Sequence, residues 1–250
     1  MQKGVKIMAF EEFRSKCIDI FAKNDFLPTP TDEQISKLYE LTNIMLEVNK
    51  SMNLTAITEE NAVILKHYAD SVSIASEIPE GASLIDVGCG AGFPTLPLAI
   101  FRPDIKITAL DGTAKRIDYV RATAAKLGLS NVTAVAARAE EYANKTGLRE
   151  SFDVATARAV ASMPVLCELC LPFVKVGGKF IAMKASQGLS EAEASKNAAN
   201  TCGGSIVEIK ELSLIGDAEP EKRVVITISK KSRTPDKYPR HYSQISKKPL

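Results

Sequence analysis

From residue 83 onward, short apolar runs alternate with segments of helical periodicity, and this alternation restricts the chain to few folds. Five strands are predicted here, at Leu84–Val87, Ile107–Leu110, Val132–Ala136, Phe152–Thr156 and Lys179–Met183. Helical patterns follow the first four of them, near Pro94–Phe101, Lys115–Leu127, Arg138–Tyr142 and Met163–Val174. The alternation predicts an α/β domain with a parallel sheet and helices on both of its faces.

The ends of the chain differ from this central part. After a helix near 189–199, two further strands are predicted at Ile206–Leu214 and Arg223–Ser229, and the short segment between them predicts antiparallel pairing. Up to about residue 80 the pattern is helical, with predicted helices over Ala9–Ala22, from the cap signal at Thr31, and over Glu59–Glu77. We therefore expect a helical extension over 1–80, an α/β domain over 81–230 and a tail over 231–250.

Charge is distributed unevenly along the chain. Residues 222–250 hold nine Lys/Arg and one acid, which leaves 23 basic and 29 acidic residues in 1–221. An acidic body with a basic tail favours an anionic partner for the tail. Aromatic side chains are interleaved with the tail cations, a pattern that suits RNA, although a solvated, partly disordered end has the same composition. The tail residues expected to bind RNA are Arg233, Lys237, Arg240, Lys247 and Lys248.

Neither a membrane span nor a signal peptide is expected, because no apolar run is long enough and the first residues lack an apolar stretch. Five scattered cysteines fit reduced thiols in the cytoplasm better than a disulfide framework. Cys167 and Cys170 form a C-x-x-C without a second pair at zinc-ligand spacing, so no metal is expected. Two core residues on one helix face are the favoured interpretation.

The sharpest local motif is a glycine loop, Gly88 to Pro94, which follows the first predicted strand and opens a helix. Gly88 allows a tight turn, whereas Gly90 and Gly92 allow the backbone to approach a ligand closely. A dinucleotide fingerprint requires glycine at position 93, where this chain has Phe93. A purely structural turn explains one glycine well and three poorly. Together with the acidic residues at the next strand ends, the loop predicts a nucleoside cofactor, and Phe93 favours S-adenosylmethionine over NAD.

Acidic residues near the strand ends are the other candidate cofactor ligands. Asp86 is expected to face the cationic methionine end, directly or through water. Asp111 ends the second strand, where a carboxylate can accept both ribose hydroxyls, although a helix N-cap is the competing role. Ala139 and Glu140 follow the third strand and are candidates for the adenine side. Glu140 and Glu141 taken alone fit an exposed acidic pair equally well.

Several segments resemble one family, that of ribosomal RNA small subunit methyltransferase G, from about residue 35 to residue 250. They include NLTAI (53–57), KHYADS (66–71), LIDVGCGAGFPTLPLAI (84–100), RAEEY (138–142) and ARAVA (157–161). The resemblance implies the class I S-adenosylmethionine-dependent methyltransferase fold, a Rossmann-like, mostly parallel seven-stranded sheet with an antiparallel last strand. It also implies methylation of N7 of one guanine in the 530 loop (helix 18) of bacterial 16S ribosomal RNA, with S-adenosylhomocysteine as the product.

The resemblance also assigns residues to roles by position. Gly88 and Phe93 match the family's cofactor contacts in the loop, Ala139 and Glu140 its adenine-side contact, and Arg158 its contact beyond the fourth strand. The small ribosomal subunit is the implied partner, and we expect a monomer in the cytoplasm. The chain departs from the family's usual residues at Val48, Cys89 and Thr95.

Arg158 is the expected catalytic residue and a cofactor ligand. Guanine N7 needs no general base, so placement and electrostatics must carry the reaction. The Arg158 guanidinium can donate to guanine O6, to a phosphate or to the cofactor carboxylate, and pairing with a surface acid is the alternative. Asn53 and His67 are expected at the RNA side, although His67 and Asp70 also fit a purely structural hydrogen bond. Lys184 ends the fifth strand and fits either a phosphate contact or a snorkelling surface lysine.

Three other functions remain open at this point. A different methyltransferase of the same fold is one, although the basic tail disfavours a small-molecule substrate. An NAD-dependent reductase is disfavoured by Phe93. A ribosome-binding factor without activity is disfavoured by the intact glycine loop and Asp111.

Overall fold

A seven-stranded sheet forms the centre of the molecule in a computed structural model that describes residues 8–145 and 147–250. The strand order is β3-β2-β1-β4-β5-β7-β6. The strands are β1 Ser83–Val87, β2 Lys106–Asp111, β3 Val132–Ala136, β4 Phe152–Arg158, β5 Val174–Ala185, β6 Gly204–Leu214 and β7 Glu221–Lys230. Strands β1 to β5 are parallel, whereas β7 pairs antiparallel with both β5 and β6. The predicted sheet, with its antiparallel pair, is confirmed.

Helices surround this sheet and form the N-terminal extension. Those before the sheet are α1 Phe10–Ala22, α2 Asp32–Met52, α3 Glu60–Val63 and α4 Asp70–Val72. Those within and after it are α5 Thr95–Phe101, α6 Ala114–Lys126, α7 Ala139–Tyr142, α8 Met163–Cys170, α9 Gly188–Ala194, α10 Lys196–Thr201 and α11 Tyr242–Lys247. No helix in the described ranges is both long and apolar enough to span a membrane.

Three predicted helices differ in detail from the observed ones. The helix expected over Glu59–Glu77 is interrupted, because Ile64–Ala69 forms a π-helical turn between α3 and α4. The helix expected over Met163–Val174 ends at Cys170, and Val174 already begins β5. The helix near 189–199 is divided at Ser195 into α9 and α10. Apolar spacing alone does not locate these breaks, since it persists through them.

The helical extension shares one hydrophobic core with a face of the sheet. Phe21 of α1 stacks on Phe101 of α5 with ring centroids 5.5 Å apart. Tyr68 is fully buried, and its hydroxyl lies 2.6 Å from the hydroxyl of Thr42 on α2. Burial of such aromatic side chains contributes strongly to stability. The extension is therefore fixed against the sheet, and it can supply residues to a site there.

The basic tail packs against the opposite side of the sheet. Lys230 is 1% exposed, and its Nζ donates to the carbonyl of Leu171 and to Thr234 Oγ1 at 2.6 and 2.5 Å. Arg240 Nε and Nη2 donate to the two carboxylate oxygens of Glu168 at 2.8 and 2.6 Å, and Glu168 is fully buried on α8. On the same helix, Cys167 and Cys170 are fully buried, which confirms the core interpretation of the C-x-x-C.

We expect Arg240→Ala to lower the free energy of unfolding by about 2–4 kcal/mol, because it leaves the buried Glu168 carboxylate without its charged partner. Urea unfolding of the variant beside Lys237→Ala tests this, since Lys237 is an exposed cation in the same segment. Equal unfolding midpoints for the two variants would show that the Arg240–Glu168 pair does not stabilise the fold.

Candidate active site

Three glycines with positive φ shape the loop after β1. Gly88, Gly90 and Gly92 have φ values of +77°, +55° and +85°. A Cβ at Gly88 would lie 2.6 Å from Val160, and one at Gly92 would lie 2.6 Å from Leu96, so these two positions permit close packing. At Gly90 the nearest such atom is a carbonyl oxygen 4.0 Å away. Gly90 therefore leaves an open cradle for a ligand, whereas Gly92 serves the packing of α5.

A cavity of about 360 Å³ opens over this loop, a size typical of ligand sites. Its wall includes Gly88, Gly90, Phe93 and Asp111. Asp111 accepts hydrogen bonds from the N–H of Gly90 at 3.1 Å and from that of Thr113 at 2.8 Å. Each carboxylate oxygen keeps a further lone pair, so the turn contact and a ligand contact are compatible.

Asp86 lies behind this wall. It is fully buried and is not among the residues that line the cavity. Its Oδ2 accepts a hydrogen bond from Thr95 Oγ1 at 2.6 Å, while its Oδ1 has no partner among the described residues. Burial raises the pKa of Asp86 to about 6. Thr95 is one of the three positions at which the chain differs from the family's usual residue, and its hydroxyl thus contacts Asp86, the carboxylate within β1.

Arg158 at the end of β4 is held by the helical extension. Its Nη1 donates to Asp70 Oδ2 at 2.9 Å and to the carbonyl of Lys66 at 2.8 Å. Asp70 also receives Arg223 Nε at 3.2 Å, so one buried carboxylate pairs with two guanidinium groups. The alternative of a solvated surface pair is excluded, because only 15% of the Arg158 side chain and 8% of the Asp70 side chain are exposed.

His67 lies beside Arg158 in the π-helical turn. Its ring stacks on Phe93 with a centroid distance of 4.3 Å, and its Nε2 lies 3.0 Å from Thr55 Oγ1. Burial, and then the Arg158 charge, lower the pKa of His67 to about 3, so the ring is neutral at physiological pH. His67 and Asp70 both face Arg158, and thus the structural and the active-site interpretations of this pair are compatible.

A second cavity of about 690 Å³ lies on the other side of Arg158. The two cavities share a wall formed by His67, Arg158 and Ala159. Lys184 lines the second cavity, where it pairs with Glu191 at 2.7 Å. The carboxyl ends of parallel strands are where this architecture places its ligands, and both cavities lie there.

Other predicted site residues lie outside the two cavities. Asn53 is exposed and directly follows α2 with left-handed backbone dihedral angles, whereas the next two residues, Leu54 and Thr55, line the first cavity. Glu140 is buried and pairs with Arg138 at 3.2 Å, which differs from an exposed acidic pair. Within the tail, Arg240 pairs with the buried Glu168, and Arg233, although exposed, pairs with Glu150 at 3.1 Å. The other three predicted cations, Lys237, Lys247 and Lys248, are exposed.

Three residues that line the second cavity were not predicted from the sequence: Arg223, Glu221 and Glu191. Antiparallel pairing places the first residues of β7 beside the last residues of β5, with Arg223 opposite Ala185. The sequence predicted only that the last two strands pair with each other, so the pairing of β7 with β5 that brings Arg223 and Glu221 to the site was not predicted. Glu191 had no signal in the sequence, because its place depends on how α9 packs against β7 and α8.

The fold is that of the class I, S-adenosylmethionine-dependent methyltransferases. TYW2 of M. jannaschii, solved in complex with AdoMet, is similar with a TM-score of 0.51 and 18% identity, over 64% of this chain and 73% of that one. A SAM-dependent O-methyltransferase from Thermotoga maritima is similar with a TM-score of 0.50 and 17% identity, over 77% and 73% of the two chains.

Sequence similarity is more specific than this structural similarity. The family described as rRNA small subunit methyltransferase G matches residues 34–217. A relative of that name from Alkaliphilus metalliredigens is 46% identical over 88% of this chain and 92% of its own length. One from Acetivibrio thermocellus is 46% identical over 88% and 90%. The chain belongs to the ribosomal RNA small subunit methyltransferase G family.

We expect Gly90→Ala to weaken S-adenosylmethionine binding at least about tenfold, because the added methyl group enters the open cradle. The left-handed backbone costs about 1–2 kcal/mol of stability in addition. Gly81→Ala is the matched control, since Gly81 also has positive φ and open space but lies in an exposed loop before β1. Calorimetric titration measures both, and equal affinities would refute the assignment of the cradle.

Proposed function

We propose that this protein transfers a methyl group from S-adenosylmethionine to N7 of a guanine in the 530 loop (helix 18) of 16S ribosomal RNA. The observation that carries the proposal is the pair of cavities that share the wall of His67, Arg158 and Ala159. One cavity lies on the glycine loop and suits the methyl donor, and the other suits the acceptor base. The names of the relatives support the RNA substrate.

The residues of the first cavity fit the cofactor. Gly90 leaves room for close approach, and Asp111 offers lone pairs to ribose hydroxyls. Ala139 and Glu140 are the proposed contacts with the adenine of the cofactor, since they follow β3, which ends next to Asp111 in the sheet. When bound, S-adenosylmethionine supplies an electrophilic methyl group on a sulfonium.

Methyl transfer to guanine N7 requires alignment of the two reactants and no proton transfer. Guanine N7 carries a lone pair and no proton, so no residue has to remove one. His67 fits this requirement, because it is neutral and its ring is held between Thr55 and Phe93. Alignment of two bound reactants can supply about 7–11 kcal/mol of barrier reduction. In this proposal the wall shared by the two cavities aligns the methyl donor with N7.

Arg158 contributes a fixed positive charge at that wall. A guanidinium has five N–H donors, and Asp70, the Lys66 carbonyl and His67 contact three of them within the described residues. The remaining donors are available to an oxygen of the cofactor carboxylate or of the base. Arg158 is the catalytic residue of this proposal.

In this proposal the RNA lies across the second cavity and also reaches the exposed cations of the tail. Asn53, His67 and Lys184 are the proposed contacts near the cavity, and the exposed tail cations would meet the phosphate backbone. A hairpin-loop guanine is partly unstacked, which lowers the cost of presenting it to the cavity. With ribosomal RNA as substrate, the protein would act in the cytoplasm, and we propose that it acts as a monomer.

The reaction is tested with labelled S-adenosylmethionine and small ribosomal subunits from a strain that lacks the modification. We expect one labelled guanine in the 530 loop, methylated at N7. Arg158→Ala should lower kcat/KM about 100- to 1000-fold while the protein still folds. Arg121→Ala is the control, because Arg121 is exposed and pairs with Asp118 on α6. No transfer by the wild-type protein would refute the proposed function, and full activity of Arg158→Ala would refute the role of Arg158.

The tail cations are tested by the salt dependence of RNA binding. Deleting the tail would also remove the Arg240–Glu168 pair, so point substitutions are the better probe. Lys247→Gln with Lys248→Gln should flatten the slope of log K against log salt by about 1–2. Lys106→Gln with Lys175→Gln is the control, since these exposed lysines lie at or near the amino ends of β2 and β5, away from the site. An unchanged slope for the tail variant would exclude these phosphate contacts.

A further inference from the structure

The charged pair formed by Lys184 and Glu191 has the chemistry to read a purine base. We propose that this pair selects guanine in the second cavity: the Lys184 ammonium donates to O6, and the Glu191 carboxylate accepts from N1–H and the 2-amino group. This inference rests on the proposed function and deepens it, because it names the residues that determine base specificity.

Both side chains have hydrogen-bonding capacity left in the cavity that they line. Lys184 Nζ donates to the carbonyl of Ala161 at 2.8 Å and forms an ion pair with Glu191 Oε2 at 2.7 Å, and an ammonium has three N–H donors. Glu191 Oε2 also accepts from the N–H of Met163 at 2.9 Å. Its Oε1 has no hydrogen-bond partner among residues 8–145 and 147–250. Hence Oε2 holds the pair in place, and Oε1 is available to a ligand.

Each of the other two carboxylates of this cavity pairs with two cations. Asp70 forms ion pairs with Arg158 through Oδ2 and with Arg223 through Oδ1. Glu221 receives Lys66 on one oxygen at 2.5 Å and Arg223 on the other at 2.8 Å. Among the carboxylates that line the cavity, Glu191 is therefore the one that pairs with a single described cation, Lys184.

Lys184 is adjacent in the chain to the strand position that pairs with Arg158, and its side chain pairs with Glu191. Arg158 of β4 pairs in register with Met183 of β5, so Lys184 follows one residue beyond the shared wall. Glu191 lies on α9, which follows β5. In guanine, N7 neighbours O6, and O6 neighbours N1–H. In the proposed pose N7 lies at the shared wall, O6 meets Lys184 and N1–H meets Glu191.

Adenine would meet the same pair with the opposite pattern. Its 6-amino group is a donor and would face the Lys184 ammonium, while its N1 lone pair would face the Glu191 carboxylate. Both encounters are repulsive, and such mismatches provide specificity beyond the attraction to the correct partner.

The contact with Glu191 also becomes stronger during the reaction. The bond between the sulfonium sulfur and the methyl carbon breaks as the N7 lone pair forms the new bond, and the sulfur retains the electron pair as a thioether. The positive charge thus moves from sulfur to the purine ring, which makes N1–H a better donor to the carboxylate. An interaction that strengthens in the transition state raises kcat.

The test compares small subunits reconstituted with guanosine or with inosine at the modified position, since inosine lacks only the 2-amino group. For the wild-type protein we expect kcat/KM to be about 10- to 100-fold lower with inosine. Glu191→Gln should lower kcat/KM about 10- to 100-fold with guanosine and reduce the guanosine-to-inosine ratio to about 3 or less. Glu193→Gln on the same helix is the control, because Glu193 is exposed and pairs with Lys196.

Each outcome of this test is decisive. A wild-type ratio near 1, or a Glu191→Gln variant that keeps the wild-type ratio, would overturn the inference while the methyltransferase function stands. Absence of transfer to guanosine by the wild-type protein would instead refute the proposed function. If Glu191→Gln does not fold, as judged by thermal unfolding and S-adenosylmethionine binding, the wild-type ratio alone decides.

Discussion

The buried ion pairs of Asp70 with Arg158 and Arg223 hold the site together. They join three distant parts of the chain: the helical extension, the end of β4 and the beginning of β7. Removing charges from water is costly, and the cost is offset here because the carboxylate receives a guanidinium on each oxygen. The shared wall of the two cavities depends on this arrangement, since it fixes Arg158 and, through the Lys66 carbonyl, the π-helical turn that carries His67.

The neutral state of His67 is a consequence of the same arrangement. The ring lies between a cation and the Phe93 ring in a buried position, and both burial and the Arg158 charge lower its pKa. In the unfolded chain this histidine would take up a proton below about pH 6.5, whereas in the folded protein it would do so only near pH 3. Its contribution to stability is therefore complete above pH 6.5 and is lost as the pH falls towards 3. The folded pKa of Asp86, raised to about 6, acts in the opposite direction, because folded Asp86 binds its proton first.

The positive charges of the C-terminal region serve two purposes. Lys230 and Arg240 are bound by Glu150 and Glu168, and they fix the tail against the sheet. Lys237, Lys247 and Lys248 are exposed and remain available to an anionic partner. The local surplus of positive charge thus overstates the charge that is free on the surface, because part of it stabilises the fold.

The sequence by itself determined the seven strands, their antiparallel pair and the glycine loop, because these follow from local periodicity and from connection length. It also placed Arg158 and Asp111 at strand ends, where this architecture binds ligands. The sequence did not determine that Arg240 would be bound by Glu168, 72 residues away, or that Glu191 would join Lys184. Nor did it locate the π-helical turn, since apolar spacing continues through it. Those features depend on which charged groups meet when separate elements pack together, and only the tertiary structure brings them within a few ångströms of each other.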